Sequence, residues 1–452
     1  MEPQVVAAII AAGVSALTLI GTLAAQYFGR RATSQDTKEA FKEQREQLDR
    51  TLAEQRTRTL NERFATAAGQ LGSDKPPAVR LAGVYAMAGL ADDWEANRQT
   101  CVDVLCAYLR MPYEPDPGEQ ALAPERLAFR ASREVRHPVI RVIAAHLSKG
   151  AAVSWQGLNF DFTGVVFDGG SLGGAEFSGG MVDFRGARFS GGTVDFRGAR
   201  FSGGTVDFRG AEFSGGTVHF GGAEFSGGTV YFGGAAFFGG TVSFSAEFSG
   251  GEVSFLDAAF AGGHVLFLDA AFSGGKVSFF SAGFSGAQVS FGRAKFSGGE
   301  VNFGRAKFSG GTVLFLDAAF FGGEVNFGRA KFSGSEVSFG GAAFISGEVN
   351  FLDAAFSGGQ VDFSQVAVWT NGPEFDWDWD STPPSGVRLP VAPPAGPAGA
   401  PPPVAPPPVA PQYGPPAGPR SGRRRGRTEQ RLSPRSPKRQ TESEHPCRHP
   451  VA

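Results

Sequence analysis

Along much of this chain, apolar residues come in pairs two positions apart, separated by glycine-rich punctuation. Valine stands at Val182, Val194, Val206, Val218, Val230 and Val242, then, after one eleven-residue step, at Val253 and every twelfth position to Val361. Each is followed two residues later by phenylalanine, from Phe184 to Phe363. Seven residues before each valine sits an alanine, from Ala175 onward, with its own phenylalanine two positions on. Apolar, any residue, then Phe is the alternation of a short strand with two side chains in and one out. The glycines that follow mark corners. No 3.6-residue period fits these pairs, which excludes an amphipathic helix, and glycine does not fall at every third position, which excludes collagen. A fixed short period of this kind predicts a solenoid. In a β-helix each three-residue strand pairs with the strand one coil above and below, and each buried Phe contributes roughly 1.5–3 kcal/mol.

At the entry to the array the spacing is five: Phe162, Phe167, Leu172 and Phe177, preceded by Phe160, Val165, Gly170 and Ala175. This phrase resembles the pentapeptide-repeat proteins, and the resemblance implies a right-handed, four-sided β-helix with one pentapeptide per side. From Phe177 the spacing alternates seven and five, so alternate sides carry two extra residues, such as Gly192-Thr193. Two twelve-residue copies then make one coil of about 24 residues, and the array holds about nine coils over roughly 45 Å. The fold class expected is mainly β, with an N-terminal transmembrane helix, a small helical module and a disordered C-terminal tail. The family's fold serves many unrelated roles, so it says little about activity.

The 452 residues divide by composition into five stretches. In 1–30, Val5 to Phe28 holds no charged residue and is long enough to span a bilayer as a helix. A cleaved signal peptide would want positive charge at its start, where only Glu2 stands. Arg30, Arg31, Lys38, Lys42 and Arg45 follow, which puts that side in the cytoplasm. The expectation is a single-pass cell-membrane protein with the bulk of the chain cytoplasmic. In 31–72, Phe41, Leu48, Leu52, Leu60 and Phe64 recur at near-helical spacing in a charged, proline-free stretch, too sparsely for a sustained coiled-coil seam. A solvated juxtamembrane helix is expected.

Residues 73–150 read as a small helical module. Ser73 with Pro76-Pro77 suggests a helix start. Val79, Ala82, Ala86 and Leu90 form one expected apolar face, and Val102, Leu105, Cys106 and Leu109 another. A further helix is expected over Pro138 to Leu147, burying Val139, Val142, Ile143 and Leu147. The module leads through Trp155 into the first coil and is expected to cap it, because a β-helix end exposes apolar surface. The layout also resembles membrane-anchored bacterial pentapeptide-repeat proteins. The coil domain is expected over 151–380, closed by Phe375, Trp377 and Trp379, with the regular pattern ending at Val366 and Val368. The tail, 381–452, is proline-rich from Thr382 to Pro419 and then basic from Arg420 to Arg439.

A net charge of −2 hides an uneven distribution, with an acidic excess in the repeats and a basic tail. Three cysteines, Cys101, Cys106 and Cys447, make no disulfide framework and point to a reducing compartment. Cys101 and Cys106 read as core residues. No phosphate loop, nucleophile elbow or zinc-protease motif occurs, and the recurrent Phe-Ser-Gly-Gly serines lack a paired histidine. No enzyme, cofactor or metal is expected; His137 and His146 are too far apart on one helix to share an ion, and His445, Cys447 and His449 offer at most a loose site.

What remains are surface stripes. Asp183, Asp195 and Asp207 alternate with Arg185, Arg197 and Arg209, and Leu256, Leu268, Leu316 and Leu352 follow their phenylalanines. Arg293, Lys295, Arg305, Lys307, Arg329 and Lys331 form a possible docking surface for an unidentified protein partner. Arg423, Arg424, Arg425 and Arg427 form possible contacts to anionic lipid. The functional expectation is a membrane-anchored, non-enzymatic protein-binding scaffold. The alternative, implied by the family, is a DNA mimic that inhibits topoisomerases; the basic clusters break the acidic rod that mimicry needs, and nucleic acid itself is not expected as a partner.

Overall fold

The computed structural model describes residues 3–72, 74–113, 116–377 and 381–391; within the first helix nothing is stated of the side chains of 3–12, 14 and 29–37. Four helices, α1 (Pro3–Leu71), α2 (Pro77–Asp93), α3 (Arg98–Arg110) and α4 (Ala123–Leu147), precede a solenoid of parallel strands of about nine turns. The expected helix over 31–72 is therefore the second half of α1. Its Phe41, Leu48 and Leu52 are exposed, while Leu60, Ala67 and Leu71 are buried against the module. Among the described residues no helix is long and apolar enough to cross a membrane. The side chains of residues 5–12 and 14 of the expected span lie outside that description.

The coil has four sides, each a ladder whose partners generally stand 24 apart, shortened to 22 at two ladders of the first coil and to 23 across Ser245. On the first, Phe177 pairs with Phe201 and Phe201 with Phe225. On the second, Val182 pairs with Val206 and Val206 with Val230. The third runs through Phe189, Phe213 and Phe237, and the fourth through Val194, Val218 and Val242. The first two sides join into one 14-stranded sheet, because Glu176–Asp183, Arg200–Asp207, Lys295–Asn302 and Ala319–Asn326 run unbroken around their shared corner. All sixteen valines and their phenylalanines are buried, as the alternation requires. Rings stack from coil to coil, as Phe208 on Phe232 at 4.7 Å and Phe189 on Phe213 at 4.7 Å. Each such pair adds about 0.5–1.5 kcal/mol to the burial.

Two kinds of corner close each coil. In the short corner, between Phe and the following Ala, the second residue is left-handed: Gly234 has φ 62°. From Asp257 onward this position is often not glycine, as at Ser281, Arg293, Arg305 and Arg329, all with φ of 55–60°. In the long corner, Phe-Ser-Gly-Gly, backbones lie directly on one another. A Cβ on Gly216 would come 2.3 Å from the Gly192 carbonyl oxygen, so only glycine fits there.

Both ends of the stack are covered. Trp155 is fully buried, stacks on His146 at 3.9 Å and donates from its indole nitrogen to Asp92 at 3.1 Å. Buried Arg136 donates to the carbonyls of Leu109 (2.7 Å) and Val166 (3.0 Å), tying α3, α4 and the first coil together. At the other end Phe375 stacks on Phe351 at 5.3 Å and Trp377 meets Phe356 edge-on at 5.6 Å. Trp379 lies outside the described residues.

Several expectations are corrected. The buried face of α2 is Gly83, Val84, Met87, Ala88, Leu90 and Ala91; of the expected set only Leu90 is buried, and Val79, Ala82 and Ala86 face solvent. The helix cap is Pro76, while Ser73 lies outside the described residues. α4 begins at Ala123 and runs through Pro138, which is itself buried, although the expected Val139, Val142, Ile143 and Leu147 are all buried. The ladder also outlasts Val366: Val368-Trp369 pairs with Ala343-Phe344, and Val387-Arg388, placed in the tail by composition, pairs with Val361-Asp362.

Candidate functional site

The six basic residues expected as one docking surface occupy two corners. Arg305 and Arg329 sit at the left-handed position of the short corner after Phe303 and Phe327, between the second and third sides. Lys307 and Lys331 follow on the third side and pair directly in register. Arg293 and Lys295 lie half a coil away, between the fourth and first sides. Half a coil is one twelve-residue copy, so neighbouring copies present their corner residues to opposite edges.

Pairing separates them further. Arg293 grips Asp269 one coil below with two hydrogen bonds of 2.8 and 2.7 Å. Arg329 donates to Asp353 at 3.2 Å. Arg305 lies over the Phe280 ring, 5.5 Å from its centre, a cation–π contact that leaves its charge unneutralised. Among the described residues Arg305, Lys307 and Lys331 have no acidic partner.

Beside this corner runs a groove of about 310 Å³, between Phe280, Arg305, Arg329 and Leu352. Its wall is an asparagine ladder, Asn302, Asn326 and Asn350 in consecutive register. Each side-chain oxygen accepts the amide hydrogen two residues on, at 2.7, 2.6 and 2.7 Å. That fixes the amide groups, and Asn302 and Asn326 donate back to Glu300 and Glu324.

The aspartate stripe is a correction. Asp183 and Asp207 are buried rather than solvated, because Arg185 and Arg209 fold back over them. Burial raises the Asp183 carboxyl, but the hydrogen bonds and charge of Arg185 outweigh it and hold the group below the usual carboxylate range. Asp195 is likewise held low, chiefly by Arg197. These pairs are local reinforcement of the short corner, two residues apart. The leucine stripe is partly exposed, most at Leu256 and Leu316.

A polar cluster that sequence reading missed joins the helical module to the first coil. Asp168 accepts from Tyr113 at 2.7 Å, lies 3.1 Å from His137 and 3.1 Å from the Arg133 guanidinium. Burial alone would raise the Asp168 carboxyl; the His137 and Tyr113 hydrogen bonds overcome this and lower it. Burial and Asp168 push the Tyr113 hydroxyl up. Arg133 and His137 stand one turn apart on α4, but Tyr113 and Asp168 lie on separate segments, so no local spacing announces the set. Asp168 thus draws Tyr113 and α4 onto the first coil. Cys101 and Cys106 are buried core residues, and burial pushes their thiols up to about 11 and about 12. Among the described residues no three potential ligands converge as a metal site. His445, Cys447, His449 and Arg423, Arg424, Arg425 and Arg427 lie outside those residues.

The family description "Pentapeptide repeats (9 copies)" matches residues 162–211, the stretch where the five-residue spacing passes into the longer phrase. With four parallel ladders on four sides, the match and the solenoid agree. Residues 162–211 are pentapeptide repeats, and the coils beyond them continue the same solenoid. Comparison with curated proteins and with solved structures finds no match. The matched coils bear the Asp–Arg pairs, whereas the basic corner lies well beyond them.

Proposed function

We propose that this protein is a membrane-anchored, non-enzymatic scaffold that docks an acidic protein segment on the corner of Arg305, Lys307, Arg329 and Lys331. One observation carries the reading: two neighbouring columns of cations, Arg305 with Arg329 and Lys307 with Lys331, whose members are one coil apart and of which Arg305, Lys307 and Lys331 have no acidic partner among the described residues, beside a groove floored by Phe280 and Leu352. Stacked coils repeat at about 4.8 Å, so an extended segment crossing this corner meets cations on two successive coils, flanked by Ser281 and Asp353. Holding Lys307 directly beside Lys331 is electrostatically unfavourable in the free protein, and an acidic occupant relieves it.

Tethering rests on the sequence of residues 5–28, which carries no charge and is followed by Arg30 and Arg31. In this reading the coils are cytoplasmic and Arg423, Arg424, Arg425 and Arg427 rest on anionic lipid, each contributing about 1 kcal/mol. Fractionation of cells expressing the chain with and without residues 1–30 tests the anchor. The full chain is expected in membranes and the truncated one in the soluble fraction; equal distribution rejects it. Inhibition of DNA supercoiling by the purified chain would instead favour the DNA-mimic alternative.

A further inference from the structure

The corner between the first and second sides departs from the repeat in two successive coils. Its exposed position, directly after the first-side phenylalanine, is serine at Ser178, Ser202, Ser226, Ser249, Ser273 and Ser297. In the next two coils it is Phe321 and Ile345, which are 41% and 43% exposed. Their predecessors Phe320 and Phe344 pair in register, so the two apolar side chains sit on adjacent rungs of one edge. The outward residue beside each is alanine, Ala319 and Ala343; earlier coils of the same side carry Glu176, Arg200, Glu224, Glu247, Ala271 and Lys295, so only these two coils join a small outward residue to a large apolar corner. Repetition supplies serine by default, so two large apolar residues placed together on an edge mark a surface to be covered.

We infer that this edge is where a second copy of the chain packs, with the two solenoids parallel and related by a two-fold axis along the corner. The argument is reciprocity. A two-fold axis parallel to the coil stack keeps the rungs level and swaps the sides, so the first side of one copy faces the second side of the other. Phe321 then meets Phe321, and Ile345 meets Ile345, across the axis. On the rung before them the first side carries Lys295 and the second carries Glu300, so the same operation brings each Lys295 to the other copy's Glu300. Lys295 forms no salt bridge within its own chain among the described residues, and Glu300 already receives Lys276 at 3.4 Å. An antiparallel arrangement would instead place Phe321 on Ile345 and separate Lys295 from Glu300. The parallel dimer leaves the basic corner, on the next edge, uncovered, so the two surfaces act independently.

The full chain, extracted from membranes, tests this by sedimentation and by cross-linking. Phe321→Ser with Ile345→Ser restores the residue the other coils carry, so the coil is expected to keep its melting temperature while the dimer's dissociation constant rises at least tenfold. In a Cys447→Ser background, Phe321→Cys is expected to oxidise to a disulfide-linked dimer, because the two-fold axis brings identical residues together. Lys295→Glu is expected to weaken the dimer and Lys295→Glu with Glu300→Lys to recover it. A monomeric wild-type chain overturns the inference. So does cross-linking that forms only when Phe321→Cys is mixed with Ile345→Cys, or a serine variant that stays dimeric.

Discussion

Phe232 stacks on Phe255 at 4.7 Å and 7°, although only 23 positions separate them where 24 separate Phe208 from Phe232, stacked at 4.7 Å and 3°. The missing residue is taken from the short corner after Phe244. There Ser245 alone separates Phe244 from Ala246, where other short corners hold two residues. Val230 still pairs with Val253, so the inward ladder is undisturbed. The short corner absorbs length because a side chain there meets open space, as at Gly222 and Gly234; strands cannot, because a one-residue slip turns every inward side chain out. Inserting glycine between Ser245 and Ala246 is therefore expected to leave the thermal melt nearly unchanged. The same insertion between Val265 and Leu266 is expected to abolish the cooperative transition. Equal melts for the two insertions would contradict this division of roles.

The two corners predict opposite responses to substitution. Gly216 is left-handed at φ 65° and its Cβ would strike backbone, so Gly216→Ala is expected to cost about 1–3 kcal/mol. Ser281 holds φ 58° without being glycine, so Ser281→Gly is expected to stabilise by about 1 kcal/mol. Denaturant titration measures both. A loss at both sites would show that the short corner does not hold strain.

These corner assignments mark the boundary of what the sequence alone conveyed. The Val-x-Phe and Ala-x-Phe spacing was enough to place every inward side chain, because a two-residue alternation in a four-sided coil has one register. The face of α2 was hidden because Ala82, Ala86, Ala88 and Ala91 give its helix little contrast between sides. The start of α4 was hidden because Pro138 reads as a beginning, and tertiary packing of Val135 and Val139 overrides it. Of the candidate site, the residues were legible but their grouping was not. Arg293 stands one copy from Arg305, and one copy is half a coil, which sends it to the opposite edge. The interlock around Asp168 joins Tyr113 to Arg133 and His137 on α4, three separate segments that only the fold brings together.

That interlock predicts acid sensitivity with a definite sign. The Asp168 carboxyl is lowered in the folded chain, so its contribution is fully present above the unfolded value, about 3.9, and is lost as pH falls through the folded one. The junction of the helical module with the first coil should loosen below about pH 4. Hydrogen exchange at Tyr113 to Arg136 is expected to accelerate there in the wild type. Asp168→Asn is expected to exchange faster already at pH 7 and to change less on acidification. A wild-type junction indifferent to pH between 7 and 3 would remove Asp168 from this role.

The docking claim is tested most directly by capture on the full chain with its basic corner intact or reversed. Binding partners recovered by the wild type are compared with those of Arg305→Glu, Lys307→Glu, Lys331→Glu combined, after confirming an unchanged melt. The expected result is a partner with an acidic segment, held by the wild type, weakened by raised salt and lost at least tenfold in the reversed variant. A partner bound equally by both chains, or binding that does not fade with salt, would contradict docking at this corner.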